Sequence, residues 1–209
     1  MAEGSTLILS NGGVRSLLAT AMAVQEYGSQ HAVLVHLKDG RRSSVRRQAF
    51  VKEQADEYKI REIIRIDLPH LQRPASAPKE RDRPSALLHP QMILAALAQG
   101  VELDASRIVW PAQFNGSADH IAKVMEQVVL IRHIAEVEHS TLPAIETPLL
   151  DFTDQQLVEI GLQLDVPWTK SWSCDLNGEK PCLVCAACRR RHSGFEAAGV
   201  VDPLESVHR

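Results

Sequence analysis

The sequence has few aromatic residues, no long apolar run and no large excess of either charge. Phe, Trp and Tyr together make up 4% of its 209 residues, and the formal net charge at pH 7 is −3. No apolar run approaches the roughly 20 residues of a membrane-spanning helix, and the N-terminus lacks a basic-then-apolar secretory pattern. The near-neutral charge argues against a nucleic-acid-binding protein. These absences predict a cytoplasmic protein with no membrane partner.

Cysteine is also scarce, and all four cysteines lie close together in the sequence: Cys174, Cys182, Cys185 and Cys188. Two overlapping C-x-x-C steps and one further cysteine across a Gly-Glu-Lys-Pro turn can surround one tetrahedral metal ion. Zn²⁺ fits this arrangement, with sulfur at about 2.3 Å. Two disulfides and a Cys₄ iron–sulfur cluster remain as alternatives. With four protein ligands, the predicted zinc is structural and holds the C-terminal segment.

Short apolar runs alternate with helical patterns along most of the chain. The predicted strands are 6–9, 31–36, 63–66, 107–110 and an edge strand within 142–148. The predicted helices are 14–27, 43–58, 85–99 with Gly100 as its stop, 117–138, and 153–164, which opens with a capping box at Thr153. Strands that alternate with helices of this length predict an α/β fold, with a parallel sheet and helices on both faces.

The length fits one ordinary domain with a small appendage. We expect residues 1–150 to form an α/β nucleotide-binding domain. Residues 151–209 are expected to form a C-terminal helical segment that carries the cysteines and packs on the same domain. A proline-rich loop is predicted between Leu71 and Pro84, and Arg41, Arg42, Arg46 and Arg47 form a local basic run.

Two glycines follow the first predicted strand and precede the first helix. Backbone N–H groups and the positive end of the helix converge on such a turn and favour a phosphate group. The candidate nucleotide-binding residues are Ser10, Asn11, Gly12, Gly13, Val14, Arg15 and Ser16. The turn is neither a Walker loop nor a dinucleotide fingerprint. Many turns of this kind carry glycine for backbone geometry alone, so that interpretation stays open.

Motifs at both ends of the chain resemble one family. Residues 10–16, S-N-G-G-V-R-S, resemble the S-G-G-x-D-S pyrophosphate loop of the PP-loop ATPases. The C-terminal third has E-T-P-L-L-D at 146–151, S-W-S-C at 171–174, the cysteine cluster, R-R-R at 189–191 and F-E-A-A-G at 195–199. These C-terminal motifs resemble those of the 7-cyano-7-deazaguanine synthases.

The resemblance implies a specific fold and activity. The fold is the adenine-nucleotide α-hydrolase type, a Rossmann-like three-layer α/β fold with a zinc-bearing C-terminal segment, usually in a homodimer. The activity is an ATP-dependent, AMP-releasing synthase of the queuosine pathway. It adenylates the carboxylate of 7-carboxy-7-deazaguanine, admits ammonia to form an amide, and dehydrates the amide to a nitrile with further ATP. The implied cofactors are structural Zn²⁺ and ATP with Mg²⁺, and the substrate is a small deazapurine.

The sequence departs from the family at the loop and in the middle of the chain. Asn11 stands in place of the loop's first serine and Arg15 in place of its aspartate. An arginine cannot coordinate Mg²⁺, although it can contact phosphate directly. After the fourth strand, four polar residues could read a base edge: Gln113, Asn115, Asp119 and His120. No catalytic residue is assigned.

Three functions therefore remain open. The first is the synthase. The second is a diverged, non-catalytic paralogue that binds a nucleotide or deazapurine or serves as a partner subunit. The third is a zinc-containing nucleic-acid binder, against which the acidic balance counts. Arg189, Arg190 and Arg191 are predicted to form a solvated basic helix face, with a phosphate or partner contact as the alternative.

Overall fold

A computed structural model describes residues 4–38, 43–68 and 88–206. Its strands are β1 (Thr6–Leu9), β2 (Ala32–Lys38), β3 (Glu62–Asp67), β4 (Arg107–Val109) and β5 (Ala144–Glu146). Its helices are α1 (Val14–Tyr27), α2 (Ser44–Glu57), α3 (Leu88–Glu102), α4 (Ala118–Glu136), α5 (Asp154–Gln163), α6 (Ala186–Ala197) and α7 (Pro203–Ser206), with a 3₁₀ turn at Trp168–Lys170. The predicted 71–84 loop, Arg41, Arg42 and the predicted helix start at Ser85 lie outside the described residues.

The five strands form one parallel sheet in the order β3-β2-β1-β4-β5. Leu7 of β1 lies opposite Val33 of β2 on one side and Ile108 of β4 on the other. The chain builds outward from β1 to β3 and then crosses to β4, so the strand order reverses beside β1. The carboxyl ends of strands at such a reversal form a ligand-binding crevice in open α/β sheets. The parallel sheet and the edge position of β5 confirm the predicted topology.

Two apolar layers cover the two faces of the sheet. In β1, Leu7 and Leu9 belong to one layer and Ile8 to the other, as the two-residue period of a strand requires. The first layer packs against α3 and α4, and the second against α1, α2 and α5. The predicted three-layer α/β fold is therefore confirmed. In the part of the chain that the structure describes, no helix is both long and apolar enough to cross a bilayer.

The prediction that Gly100 ends α3 is wrong, because the helix continues to Glu102. A Cβ atom at Gly100 would lie 2.9 Å from Cγ of Pro143 and 3.3 Å from Cδ1 of Ile108. The glycine therefore lets α3 approach the segment before β5 closely. An interior helix glycine costs about 1 kcal/mol relative to alanine, so close packing is the physical reason for this residue.

The predicted capping box at the start of α5 is confirmed. The backbone N–H of Gln156 donates to Oγ1 of Thr153 at 3.2 Å, and the backbone N–H of Thr153 donates to Oε1 of Gln156 at 2.9 Å. Two N–H groups that have no partner within the helix are thereby satisfied. This fixed start places Asp154 at a cavity described below.

The prediction of a solvated basic face at 189–191 is wrong for Arg191, whose side chain is 4% exposed. Its guanidinium donates from Nε and Nη2 to the carboxylate of Asp202 at 2.5 and 2.8 Å. It also donates to the carbonyls of Ser171 and Trp168 and to Oγ of Ser171. All five N–H donors of this arginine are satisfied, so it fastens α6 to the chain around the 3₁₀ turn.

Candidate functional site

The glycine loop between β1 and α1 has a backbone that only glycine fits. Gly12 has a φ of +71°, and a Cβ atom there would lie 2.4 Å from the carbonyl oxygen of Arg47. Gly13 is the N-cap of α1, and a Cβ atom on it would lie 3.4 Å from Nη1 of Arg47. The loop therefore lies directly on α2. The predicted residues 10–16 form this loop and the first turn of α1.

Side chains of the loop itself engage its backbone donors. Oδ1 of Asn11 accepts from the N–H of Gly13 at 3.0 Å and from Oγ of Ser16 at 3.4 Å. Oγ of Ser10 accepts from the N–H of Gly12 at 3.3 Å. These acceptors occupy the donors that a phosphate oxygen would use, so a phosphate reaching Gly13 has to displace the Asn11 carboxamide.

A cavity of about 130 Å³, here called the sheet-end cavity, opens at the carboxyl ends of β1, β2 and β4. Rings of His89, Trp110 and Phe114 form one wall, with the His89 ring edge-on to both of the others at 5.6 and 6.0 Å. The remaining lining includes Ser10, Asn11, Arg15, Ser16, His36, Lys38, Ser44, Arg47, Met92 and Gln113. Aromatic rings in one cavity with cationic and polar groups suit a planar heterocycle attached to phosphate.

A second cavity of about 90 Å³, here called the helix-side cavity, lies between the glycine loop, α5 and α6. It shares Asn11, Arg15 and Arg47 with the sheet-end cavity. Arg190 also lines it and pairs with the carboxylate of Asp154, at 2.8 Å from both Nε and Nη2. Asp154 is the one carboxylate among the described residues that line either cavity. The surplus of arginine favours an anion here.

Arg15 lies where the two cavities meet, and its Nη1 donates to the carbonyl oxygen of Gln113 at 3.3 Å. The Gln113 side chain is itself buried and bonded. Its Nε2 donates to the carbonyl of Phe152 at 2.7 Å, and its Oε1 accepts from Arg190. This network ties the end of β4 to α1 and α6 and holds Arg15 between the cavities.

Of the four residues considered for reading a base edge, the structure brings only Gln113 to a described cavity. Asn115 accepts from the backbone N–H of Asp154 at 2.8 Å, and His120 contacts Oγ of Ser117 at 2.8 Å. Asp119 lies 2.7 Å from the ammonium of Lys123, whose hydrogen bond and charge lower the pKa of that carboxyl.

Sequence reasoning did not assign His36, Lys38, Arg47 and His89 to the site, although all four line the sheet-end cavity. His36 and Lys38 end β2, so the rule that ligands bind at carboxyl ends of strands could have identified them. The sequence places Arg47 only in a local basic run. Its approach to the loop depends on the packing of α2, which the sequence pattern does not reveal.

The four cysteines come together, with all four Sγ atoms within 4.8 Å of one another. Sulfur atoms also accept from backbone N–H groups. Cys174 Sγ accepts from Leu176 and Cys182, Cys182 Sγ accepts from Cys185, and Cys185 Sγ accepts from Cys188, each at 3.4 Å. Such bonds stabilise thiolates and orient metal ligands. The donor set therefore fits a single tetrahedral metal ion.

The surroundings of the four thiols differ. Burial raises the pKa of the Cys174 and Cys188 thiols, while a backbone hydrogen bond from Val184 lowers the pKa of Cys182 to about 7. Trp172 packs beside the cluster and stacks on Phe50 of α2 with ring centroids 5.6 Å apart. The cysteine segment is thus attached to the helix that also carries Arg47.

Comparisons with solved structures find the same fold in two proteins. One is the U34-tRNA thiolase NcsA from Methanococcus maripaludis with its [4Fe-4S] cluster, and another is a 4-thiouridine synthetase–RNA complex with bound ATP. Each matches with a TM-score of 0.52 and 15% identity, and the alignment covers 98% of this chain. It spans 66% and 53% of those chains, respectively. At this identity, the likeness shows the fold alone.

Sequence comparisons find 7-cyano-7-deazaguanine synthases. The enzyme of Chlorobaculum parvum is 28% identical over 219 residues, covering 95% of both chains. That of Archaeoglobus fulgidus is 30% identical over 136 residues, covering 61% of this chain and 55% of the relative. The family model of the queuosine biosynthesis protein QueC matches residues 92–199. That match covers more than half of the sequence, and the chain belongs to the QueC family.

Proposed function

We propose that this chain is an ATP-dependent 7-cyano-7-deazaguanine synthase. A carboxylate oxygen of 7-carboxy-7-deazaguanine attacks the α-phosphorus of ATP and releases pyrophosphate. Ammonia then displaces AMP from the acyl carbon to give an amide. The amide oxygen then attacks the α-phosphorus of a second ATP and releases pyrophosphate, and loss of AMP and of both amide protons leaves the nitrile. Relatives that align with 95% of the chain carry this name, which supports the assignment.

The observation that carries the proposal is the position of the sheet-end cavity beside the glycine loop. The cavity offers an aromatic wall at Trp110 and Phe114 for a planar ring. Arg15 and Arg47 line the same cavity and also line the helix-side cavity. In the proposed complex, the phosphates of ATP lie against the loop and these arginines, which stabilise the charge on the departing pyrophosphate.

Among the described residues that line these cavities, no cluster of carboxylates offers a ligand set for the Mg²⁺ that usually accompanies ATP. Asp154 is the one carboxylate among their described lining residues, and it is paired with Arg190. Arg15 replaces the family aspartate with a cation that cannot coordinate metal. We therefore propose that the phosphates of ATP bind the Mg²⁺. Arg15 and Arg47 are the protein groups that neutralise the negative charge of these phosphates.

We propose that the four cysteines bind one structural Zn²⁺. Four thiolates complete a tetrahedral zinc site and leave no position open for substrate. The ion supplies a rigid cross-link between the segment around Cys174 and the start of α6 at Cys185. In the same proposal, residues 151–209 pack as a zinc-bearing segment on the nucleotide-binding unit of residues 1–150, and the chain forms a homodimer.

A second candidate is a non-catalytic paralogue that binds a nucleotide or a deazapurine or serves as a partner subunit. Two observations favour it. Arg15 replaces a potential metal-binding carboxylate, and Asn11 already accepts from the N–H of Gly13. Loss of one well-placed electrostatic group commonly costs a factor of about 10² to 10³ in rate. Binding of ATP survives in this candidate, but turnover does not.

The test is release of AMP from ATP by zinc-loaded protein with ammonium and Mg²⁺, with and without 7-carboxy-7-deazaguanine. AMP that appears only with the substrate supports the synthase. Absence of AMP, from protein whose melting temperature rises with ATP, overturns the synthase and favours the binding paralogue. Ligands that bind only the folded state raise that temperature by mass action.

A further inference from the structure

Helix α4 carries a row of large apolar side chains on the face that points away from the sheet. The row consists of Met125, Val129, Leu130 and Ile134 within the helix and Val137 at its C-cap, which are 48%, 48%, 54%, 64% and 86% exposed, respectively. The opposite face of the helix is buried in the core through Val124, Val128 and Ile131. Single exposed apolar residues are ordinary, but several large ones gathered on one helix face mark an interaction surface.

The polar residues within this row have a specific arrangement. Glu126 and His133 are seven residues apart, which is about two helical turns, so they lie on one line along the exposed face. Met125 and Val129 lie on one side of that line, and Leu130 with Ile134 lies on the other. The face is therefore a narrow polar line between two apolar strips.

We propose that α4 is the interface of a homodimer, paired antiparallel with the α4 of a second copy about a two-fold axis between Val129 and Leu130. Glu126 and His133 are equally distant from that axis, so Glu126 of one copy lies level with His133 of the other. A carboxylate accepts the hydrogen bond that an imidazole donates, and the two-fold axis forms this pair twice. The apolar strips cover one another on either side.

We assign a second copy of this chain to the exposed face of α4, because the residues of that face complement one another when two copies pair. Antiparallel pairing also places the positive start of each helix beside the negative end of its partner. The 19-residue helix is roughly 28 Å long, which is long enough to form the centre of an interface of about 800 Å² per subunit. The inference rests on the homodimer of the proposed function, whose interface it names, and is independent of the synthase activity. A monomeric protein would refute both the homodimer and this interface, whereas a dimer that Ile134→Asp leaves unchanged would refute the α4 interface alone.

Sedimentation velocity of the zinc-loaded full chain tests the proposal. Wild-type protein at tens of micromolar is expected at twice the monomer mass of 23.1 kDa. Ile134→Asp is expected to raise the dimer dissociation constant by about 30-fold or more. Val201→Asp, at an exposed valine outside α4, is the matched control and is expected to leave it unchanged. A monomeric wild type, or an unchanged Ile134→Asp dimer, overturns the proposal.

A charge exchange tests the register without truncating any apolar residue. Glu126→Lys places an ammonium group opposite the imidazole of the partner's His133, and His133→Glu places a carboxylate opposite the carboxylate of the partner's Glu126. In neither variant does a carboxylate face a hydrogen-bond donor, so each variant is expected to weaken the dimer. The double variant restores an opposite pair and is expected to recover the wild-type dissociation constant. Circular dichroism first establishes that each variant is folded. Single variants without effect, or a double variant that stays weak, would contradict the antiparallel pairing.

Discussion

The backbone N–H of Trp172 donates a 2.7 Å hydrogen bond to the carbonyl oxygen of Gly12. This bond joins the cysteine segment directly to the glycine loop. Arg47 strengthens the same junction, since its Nη2 donates to the carbonyl of Ser173 at 3.1 Å while its carbonyl oxygen lies against Gly12. Whatever holds the cysteine segment in place therefore also supports the loop.

The first prediction follows from this junction. Removing the metal with a chelator, or replacing Cys188 with Ser, is expected to lower the melting temperature by about 10 °C or more, because a structural metal site contributes several kcal/mol to folding. ATP affinity is expected to fall with it. Metal analysis, thermal melting and calorimetric ATP titration measure the three quantities.

Val184→Ala is the control for the metal site, because Val184 lies within the same segment, is 69% exposed and offers no metal ligand. It is expected to keep the metal content, the melting temperature and the ATP affinity of the wild type. A Cys188→Ser protein that melts and binds ATP as the wild type does would contradict the support of the loop by the metal site.

The second prediction concerns two nearby arginines on α6. Arg191→Met is expected to lower the free energy of unfolding by about 3–5 kcal/mol, because it leaves the buried carboxylate of Asp202 without its partner. Arg189→Met is the matched control, since Arg189 is exposed, and it is expected to change stability by less than about 0.5 kcal/mol. Urea denaturation measures both.

A second replacement separates the charge from the packing. Asp202→Leu added to Arg191→Met removes the unpaired carboxylate and is expected to recover part of the lost stability. If the single and double variants are equally unstable, the loss comes from the hydrogen bonds of Arg191 to Ser171 and Trp168 together with the bond that Asp202 accepts from the backbone N–H of Leu204. Equal stability of Arg191→Met and Arg189→Met would contradict the structural role of Arg191.

The sequence predicts this fold well wherever one local pattern determines the element. Thr6–Leu9 is an apolar run and Val14–Tyr27 a helical pattern, and each matches the observed element. The capping box at Thr153 is likewise local. The predictions for Gly100 and Arg191 are wrong because the roles of these residues depend on distant partners. Pro143 and Ile108 pack against the glycine, and Asp202 binds the arginine. Neither contact appears in the residue's own sequence neighbourhood.

The candidate site likewise has some residues that the sequence predicts and others that it does not. The glycine loop and the cysteines are contiguous or closely spaced, so their sequence patterns predicted them. Arg47 and Lys38 reach the same cavity from α2 and β2 because parallel strands end at one edge of the sheet. The pairing of Asn11 with Gly13 depends on one side-chain rotamer, which no sequence pattern specifies.

The third prediction concerns Arg15 as a phosphate contact. Arg15→Met is expected to weaken ATP binding by about 10- to 100-fold, the effect of losing one charge-assisted hydrogen bond. Arg15→Lys keeps the positive charge and is expected to retain part of the affinity. Calorimetric titration measures both, with Arg189→Met as a control outside the cavities. Unchanged affinity in Arg15→Met would mean that phosphate does not reach this side chain.

The last prediction concerns the family loop, restored by Asn11→Ser together with Arg15→Asp. Asn11→Ser removes the carboxamide oxygen that accepts from the N–H of Gly13. Arg15→Asp introduces a carboxylate that offers a ligand to Mg²⁺. ATP binding is expected to become strongly dependent on Mg²⁺, because the carboxylate repels phosphate unless a cation lies between them. In the wild type, Arg15 supplies that charge, so removing Mg²⁺ is expected to weaken ATP binding less.

Titration of both proteins with ATP, in Mg²⁺ and in EDTA, measures the difference. Arg15→Asp alone separates the effect of the charge from that of the Asn11 side chain. If EDTA weakens binding to wild type and double variant by the same factor, then Arg15 does not replace the cation. Substrate-dependent AMP release that rises in the double variant would instead show that the native loop limits turnover through these two residues.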